Sequence, residues 1–142
     1  MHRRVEFVEA RSSSRQTPTK DLLMQYLFLL YGAEAGSPEP PQDPKELEAY
    51  MAPWIEYNAV LQKAGAMLGG NALQPTSTAT TVEMKNGNAS FTDGPFAETK
   101  EQLGGYYLIE CANLDEALAL AAKCPAAQHG RVEVRPIMDL GE

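Results

Sequence analysis

The amino-acid sequence predicts an α+β fold, an antiparallel sheet with helices packed on one face. Three observations carry that expectation. The chain has 142 residues, of which 44% are hydrophobic and 22% charged, enough for one domain with a real core and too little for two ordinary ones. Its apolar residues fall alternately into short β-branched and aromatic runs and into three-and-four-residue spacings. The resulting order is strand, helix, two or three strands, helix, strand, with no internal repeat.

Residues 1–23 carry five basic and three acidic side chains, with Ser12-Ser13-Ser14 and Thr17-Pro18-Thr19 as turn and loop formers, and are expected to be a disordered extension. Residues 24–142 form the domain. The run Gln25 to Tyr31, rich in aromatic and branched residues and ended by Gly32, reads as a buried strand. Residues 32–44, with four prolines, read as a loop, and Asp43-Pro44 as a helix opening. Leu47, Tyr50, Met51, Trp54, Ile55, Asn58, Leu61 and Gln62 then recur at helical spacing, with Gly65 as the stop. An interior proline removes a helical hydrogen bond, so Pro53 is expected to kink this helix or divide it.

Ala66 to Leu73 and Thr78 to Met84 read as strands, and Asn86-Gly87-Asn88 as the turn of a hairpin into Ala89 to Thr92. Asp93 to Gly104 is a polar, glycine-bearing loop, and Tyr106 to Cys111 another strand. Asn113, with Glu116 three residues on, opens a short helix that runs to Lys123 before Pro125 stops it. The last strand is Val132 to Ile137.

A net charge of −7 argues against a protein that grips phosphate backbone, so no direct nucleic-acid partner is expected. The longest strongly apolar run, Tyr26 to Tyr31, is far short of the roughly 20 residues of a membrane span, and no secretory leader is evident. Cys111 and Cys124 are too few for a stapled secreted scaffold. A cytosolic protein with reduced thiols is expected. Gly69-Gly70 and Gly104-Gly105 lack the third glycine or the Lys-Ser/Thr of nucleotide loops, and His2 and His129 have no ligand spacing to the cysteines, so neither an organic cofactor nor a metal is expected.

The stretch Asp93-Gly94-Pro95-Phe96-Ala97-Glu98-Thr99-Lys100-Glu101-Gln102-Leu103-Gly104-Gly105 concentrates acid, base and aromatic groups in one loop. It resembles the signature of the DGPF group within the YCII-related family. Gly69-Gly70-Asn71-Ala72-Leu73-Gln74-Pro75, Thr78-Ala79-Thr80-Thr81-Val82, Cys124-Pro125-Ala126-Ala127 and Val132-Glu133-Val134-Arg135-Pro136 support the resemblance, which spans Met24 to about Met138. It implies a ferredoxin-like fold that pairs through its sheets as a dimeric α/β barrel, with a cleft between sheet and helices. For some relatives it implies dehydrochlorination of hydroxylated chloroaromatic compounds by a His and Asp pair. With the first helix aligned on Gly65, those two positions fall near Trp54 and Cys124, so neither partner carries over. Domains resembling this one are often encoded beside, or fused to, sigma factors of the extracytoplasmic-function type, which implies an alternative role as an accessory or regulatory module.

If the protein is an enzyme, its acid and base come from elsewhere. Asp93, beside Phe96 at the loop mouth, is the first candidate, because partial burial would tune its proton affinity. His129 is the second, as a group suited to proton transfer. Arg135 is the candidate anion anchor; paired with Glu133, Asp93 or Glu98 it would instead be structural. Lys100 is either a ligand contact or a solvated loop charge, Phe96 either a ligand contact or an anchor of its loop, and Tyr26, Trp54 and Tyr106 either line an aromatic pocket or belong to the core. In the homodimer that the resemblance implies, these readings point to binding of a small aromatic or carboxylated molecule near residues 93–100, with elimination or isomerisation as the fitting chemistry.

Overall fold

The computed structural model describes residues 22–34 and 40–141. The expected N-terminal extension lies outside the described residues except for Leu22 and Leu23, as do residues 35–39 of the first loop. The elements are β1 (Met24–Ala33), α1 (Pro44–Lys63), β2 (Met67–Ala72), β3 (Thr80–Lys85), β4 (Asn88–Asp93), β5 (Glu101–Cys111), α2 (Leu114–Ala122), α3 (Ala126–His129) and β6 (Arg131–Pro136), with a 3₁₀ turn at Thr76–Thr78.

Four strands form one antiparallel sheet in the order β2-β5-β1-β6, and β3 and β4 form a separate two-stranded sheet. The path is therefore strand-helix-strand-strand-helix-strand with a hairpin inserted between the two middle strands, an α+β architecture consistent with the ferredoxin-like fold. Four strands, rather than two or three, separate α1 from α2.

Local chemistry fixes the element ends. The Asp43 side chain accepts from the Glu46 N–H at 3.2 Å, and Pro44 occupies the first turn of α1. At the other end Ala66 N–H donates to Leu61 and Gly65 N–H to Gln62, a Schellman closure that needs the φ of +66° held by Gly65. Helix α1 runs continuously through Pro53, so of the expected kink or division the division is not found. Pro53 is exposed, so the Ala49 carbonyl deprived of its donor faces water. Asn113 caps α2 by accepting from Glu116 N–H at 2.9 Å, and the Glu116 carboxylate accepts in return from Ala112 N–H. Pro125 ends α2 as expected and also opens the single turn α3, which carries His129. Asn86 and Gly87, with φ of 50° and 81°, make the tight turn between β3 and β4.

Strand β5 begins at Glu101, five residues earlier than its apolar run, because the ladder to β1 continues through Gly105, Leu103 and Glu101 past a bulge opposite Leu30 and Tyr31. One face of the sheet is the core. Tyr26, Phe28 and Leu30 of β1 and Tyr107, Ile109 and Cys111 of β5 pack there against Tyr57 and Leu61 of α1 and Ala117, Leu120 and Ala121 of α2. Alternation sends their neighbours to the other face, where no described helix lies.

Candidate functional site

That open face carries apolar, phenolic and charged groups together. Leu27, Leu29 and Tyr31 of β1 stand between Leu103, Tyr106 and Leu108 of β5 on one side and Arg131, Glu133 and Arg135 of β6 on the other, as the register requires. The six side chains of β1 and β5 are half-buried and form an apolar strip. Polar groups border it. Tyr106 accepts from Asn71 Nδ2 at 2.8 Å, which orients the phenol and leaves its proton to donate outward. Glu133 pairs with Arg135 two residues along β6, and Arg131 Nε lies 3.3 Å from Glu101 Oε1.

The second of these ion pairs reaches across the end of β1. Tyr31 is opposite Arg131 in one ladder and Leu103 in the other, while Glu101 is opposite Ala33, so the Arg131 to Glu101 bridge passes over the upper end of the open face. Beside it opens a cleft of about 370 Å³ lined by Tyr31, Glu101, Arg131, Val132 and Glu133. Its volume is within the range of small-molecule sites.

The residues singled out from the sequence divide among three places. Tyr106 and Arg135 share the open face, with Arg135 held by Glu133, the structural pairing that two-residue spacing on a strand allows. Tyr26 is buried on the opposite, helix-bearing face, and Trp54 packs against the same core from α1. Asp93 ends β4, and Phe96 and Lys100 lie in the segment between it and Glu101, the first residue of β5. Asp93 is exposed and Phe96 is 91% exposed, so the partial burial expected at that carboxyl is not found. The loop is shaped instead by Gln102, whose Nε2 donates to the carbonyls of Ala97 at 2.9 Å and Thr99 at 3.2 Å. His129, at the end of α3, is exposed and two residues from Arg131.

Tyr31, Glu101 and Arg131 were not legible as a unit. They come from three strands, and Glu101 reads in sequence as one more loop charge. The signal available was Arg131-Val132-Glu133-Val134-Arg135, which alternates charge and β-branched residues and so places three charged groups on one face of a strand.

The titrating groups that depart from their ordinary values are on the core side. Burial pushes the Tyr107 phenol up to about 12, with Cys124 adding to it, and burial pushes the Cys111 thiol up to about 11, with Glu116 adding to it. Tyr57, Tyr26 and Cys124 are raised in the same way, by burial first. Neither buried thiol is an activated nucleophile. No group of three or more His, Cys, Asp or Glu side chains able to hold a metal ion occurs among the described residues. None of their helices is long and apolar enough to cross a membrane.

The four-stranded order, the helices confined to one face and the half-buried open face define an α+β protein, consistent with the ferredoxin-like type, with a small-molecule-sized cleft at one sheet end. The family model for the YCII-related domain matches residues 24–141, and the chain belongs to that family. It is similar to an uncharacterised protein of Rhizobium meliloti (strain 1021), 38% identical over 121 residues that cover 80% of this chain and 92% of the relative.

Proposed function

We propose that the protein belongs to the DGPF group and works as a homodimer paired through the open faces of its sheets. In this reading each subunit binds a small aromatic or carboxylated molecule and transfers a proton on it, as in an elimination or isomerisation. The observation that carries this reading is the open face itself: a strip of six half-buried side chains, one of them the oriented Tyr106 phenol, bordered by two ion pairs. Such a face is suited both to a sheet-on-sheet contact and to enclosing a ligand with a few convergent polar groups.

Asp93 supplies the acid or base, delivered by β4 into the loop that runs directly to Glu101; Arg135 and Lys100 serve as anion contacts and His129 as a second proton carrier. No cofactor is invoked. The test is a thermal-shift screen of the full chain against phenols, quinones, aromatic acids and small carboxylates, because a ligand of the native state raises its melting temperature. A hit then enters turnover assays, where Asp93→Asn is expected to abolish the rate and keep the fold and dimer. Unchanged turnover in that variant removes Asp93 from the mechanism.

The free-standing hairpin favours a second reading. Thr80, Val82 and Met84 of β3 face the same way as Ala89, Phe91 and Asp93 of β4, and Val82, Met84 and Phe91 are 57, 64 and 69% exposed. An apolar hairpin face of this kind suits an accessory module that docks a protein, a sigma factor encoded nearby being the candidate. Pull-down of that sigma factor by the wild-type chain, lost in Phe91→Ser, supports it; absence of a complex at micromolar concentration eliminates it.

A further inference from the structure

Arg131 is gripped by one edge. Its Nε meets Glu101, and its two terminal nitrogens have no hydrogen-bond or ion-pair partner among the described residues, although the side chain lines the cleft. Arg135 differs, since it spends a terminal nitrogen on Glu133. The Nε edge of Arg131 thus faces an acid on a different strand while its two outer donors stay open. Planar, paired donors are the geometry that receives a carboxylate by two parallel hydrogen bonds.

We propose that the cleft at the end of the open face is a carboxylate-binding site, in which the terminal nitrogens of Arg131 hold the carboxylate of a small organic acid. Glu101 is its positioning residue. This rests on the small-molecule reading above and names its substrate class. Tyr31, between the two ion pairs, offers its ring to the body of the acid and a hydroxyl without a partner among the described residues. Glu133 also lines the cleft, but its carboxylate is already neutralised by Arg135. The four charged groups, Glu101, Arg131, Glu133 and Arg135, sum to zero, which admits a monoanion; a phosphate dianion would add a second negative charge beside two carboxylates. Arg131 is 82% exposed and Glu101 31%, so the acid is the fixed member of the pair and the base the one that reaches solvent.

The test is a ¹⁵N-¹H NMR titration of the full chain with benzoate and salicylate against the matched neutral probes benzamide and salicylamide. Saturable shifts are expected at the Arg131 side-chain Nε–H and at the amides of Glu101, Arg131 and Val132, with the amide probes at least tenfold weaker. Arg131→Lys keeps the charge and loses the fork, so it should weaken carboxylate binding at least fivefold, and Arg131→Gln should erase the preference for carboxylate over amide. Glu101→Gln, which leaves Arg131 charged but unheld, should weaken the carboxylates severalfold and broaden the Arg131 Nε–H signal. Equal binding of acids and amides, wild-type affinity in Arg131→Gln, or shifts that map away from the cleft overturn the proposal, and wild-type affinity in Glu101→Gln overturns the role of Glu101. If phenols or quinones bind and carboxylates do not, this proposal falls and the small-molecule reading stands; if no compound binds the folded chain, both fall.

Discussion

Tyr57 and Tyr107 tie the three layers of contact around the core to one another. The Tyr57 hydroxyl donates to the Leu120 carbonyl at 2.9 Å, joining α1 to α2, and the Tyr107 hydroxyl donates to Asn58 Oδ1 at 2.7 Å, joining β5 to α1. Their rings meet edge to face, 5.5 Å between centroids. Removing either hydroxyl strips a donor from an acceptor that water reaches poorly. Leu120 keeps a second donor, the Lys123 N–H at 3.2 Å, so Tyr57→Phe is expected to cost about 1 kcal/mol, the ordinary net value of a hydrogen bond. Tyr107→Phe leaves the Asn58 amide oxygen without a donor and is expected to cost about 2 kcal/mol, towards the upper end of the penalty for an unsatisfied group. Urea midpoints at unchanged m-value measure both.

The same burial gives the protein an alkaline limit. Cys111 is pushed up from 9.0 to about 11 and Tyr107 from 10.0 to about 12, so the folded chain holds these protons more tightly than the unfolded one. Their contribution is fully present below pH 9 and is lost as pH rises, through about 11 for the thiol and about 12 for the phenol. Stability is therefore expected to be flat from pH 7 to 9 as far as these groups decide it, then to fall. Cys111→Ala removes that thiol's share of the fall between 9 and 11 and leaves the shares of Cys124 and Tyr107, which denaturant titrations at closely spaced pH values would resolve.

At the scale of elements, legibility followed how local each signal is. Asp43-Pro44, Asn113 with Glu116, and Asn86-Gly87 act within three or four residues, and the structure places caps and a turn at those positions. The start of β5 was not legible. Glu101, Gln102 and Gly104 have no strand propensity of their own and pair only because Ala33, Gly32 and the bulge at Leu30 lie opposite them. The candidate site divides in the same way: Tyr106 and Arg135 were named from residue type and alternation, whereas the bridge between Glu101 and Arg131 depends on a sheet order that puts β5 and β6 on either side of β1.

The β3–β4 hairpin obeys every local rule and yet buries little, with eleven of its twelve strand residues exposed and Thr81 alone half-buried. Two strands without a covering layer are marginal in water. Its amides are expected to exchange with solvent fastest of all the strands, and those of Phe28 and Ile109, at the fully buried centre, slowest. Hydrogen exchange followed by mass spectrometry separates the two. Strong protection at Val82 and Phe91 would mean that this face is covered in solution.

For the whole molecule the decisive contrast is between the two faces of one sheet. Phe28 and Leu29 are neighbours on β1, but Phe28 is fully buried against the helices and Leu29 is half-buried on the open side. A substitution at each tests a different level of organisation. Phe28→Ala empties a core position and is expected to lower stability by about 3–5 kcal/mol. Leu29→Glu adds a carboxylate beside Glu133, its partner across the ladder, on a face that the isolated subunit leaves accessible. If the open faces pair in the proposed homodimer, two copies of that charge are brought out of water without a partner, which a sheet-on-sheet contact does not tolerate. Sedimentation equilibrium is therefore expected to find a dimer for the wild-type chain and a monomer for Leu29→Glu, with far-ultraviolet circular dichroism unchanged. A wild-type monomer, or a Leu29→Glu dimer as tight as wild type, excludes pairing through this face.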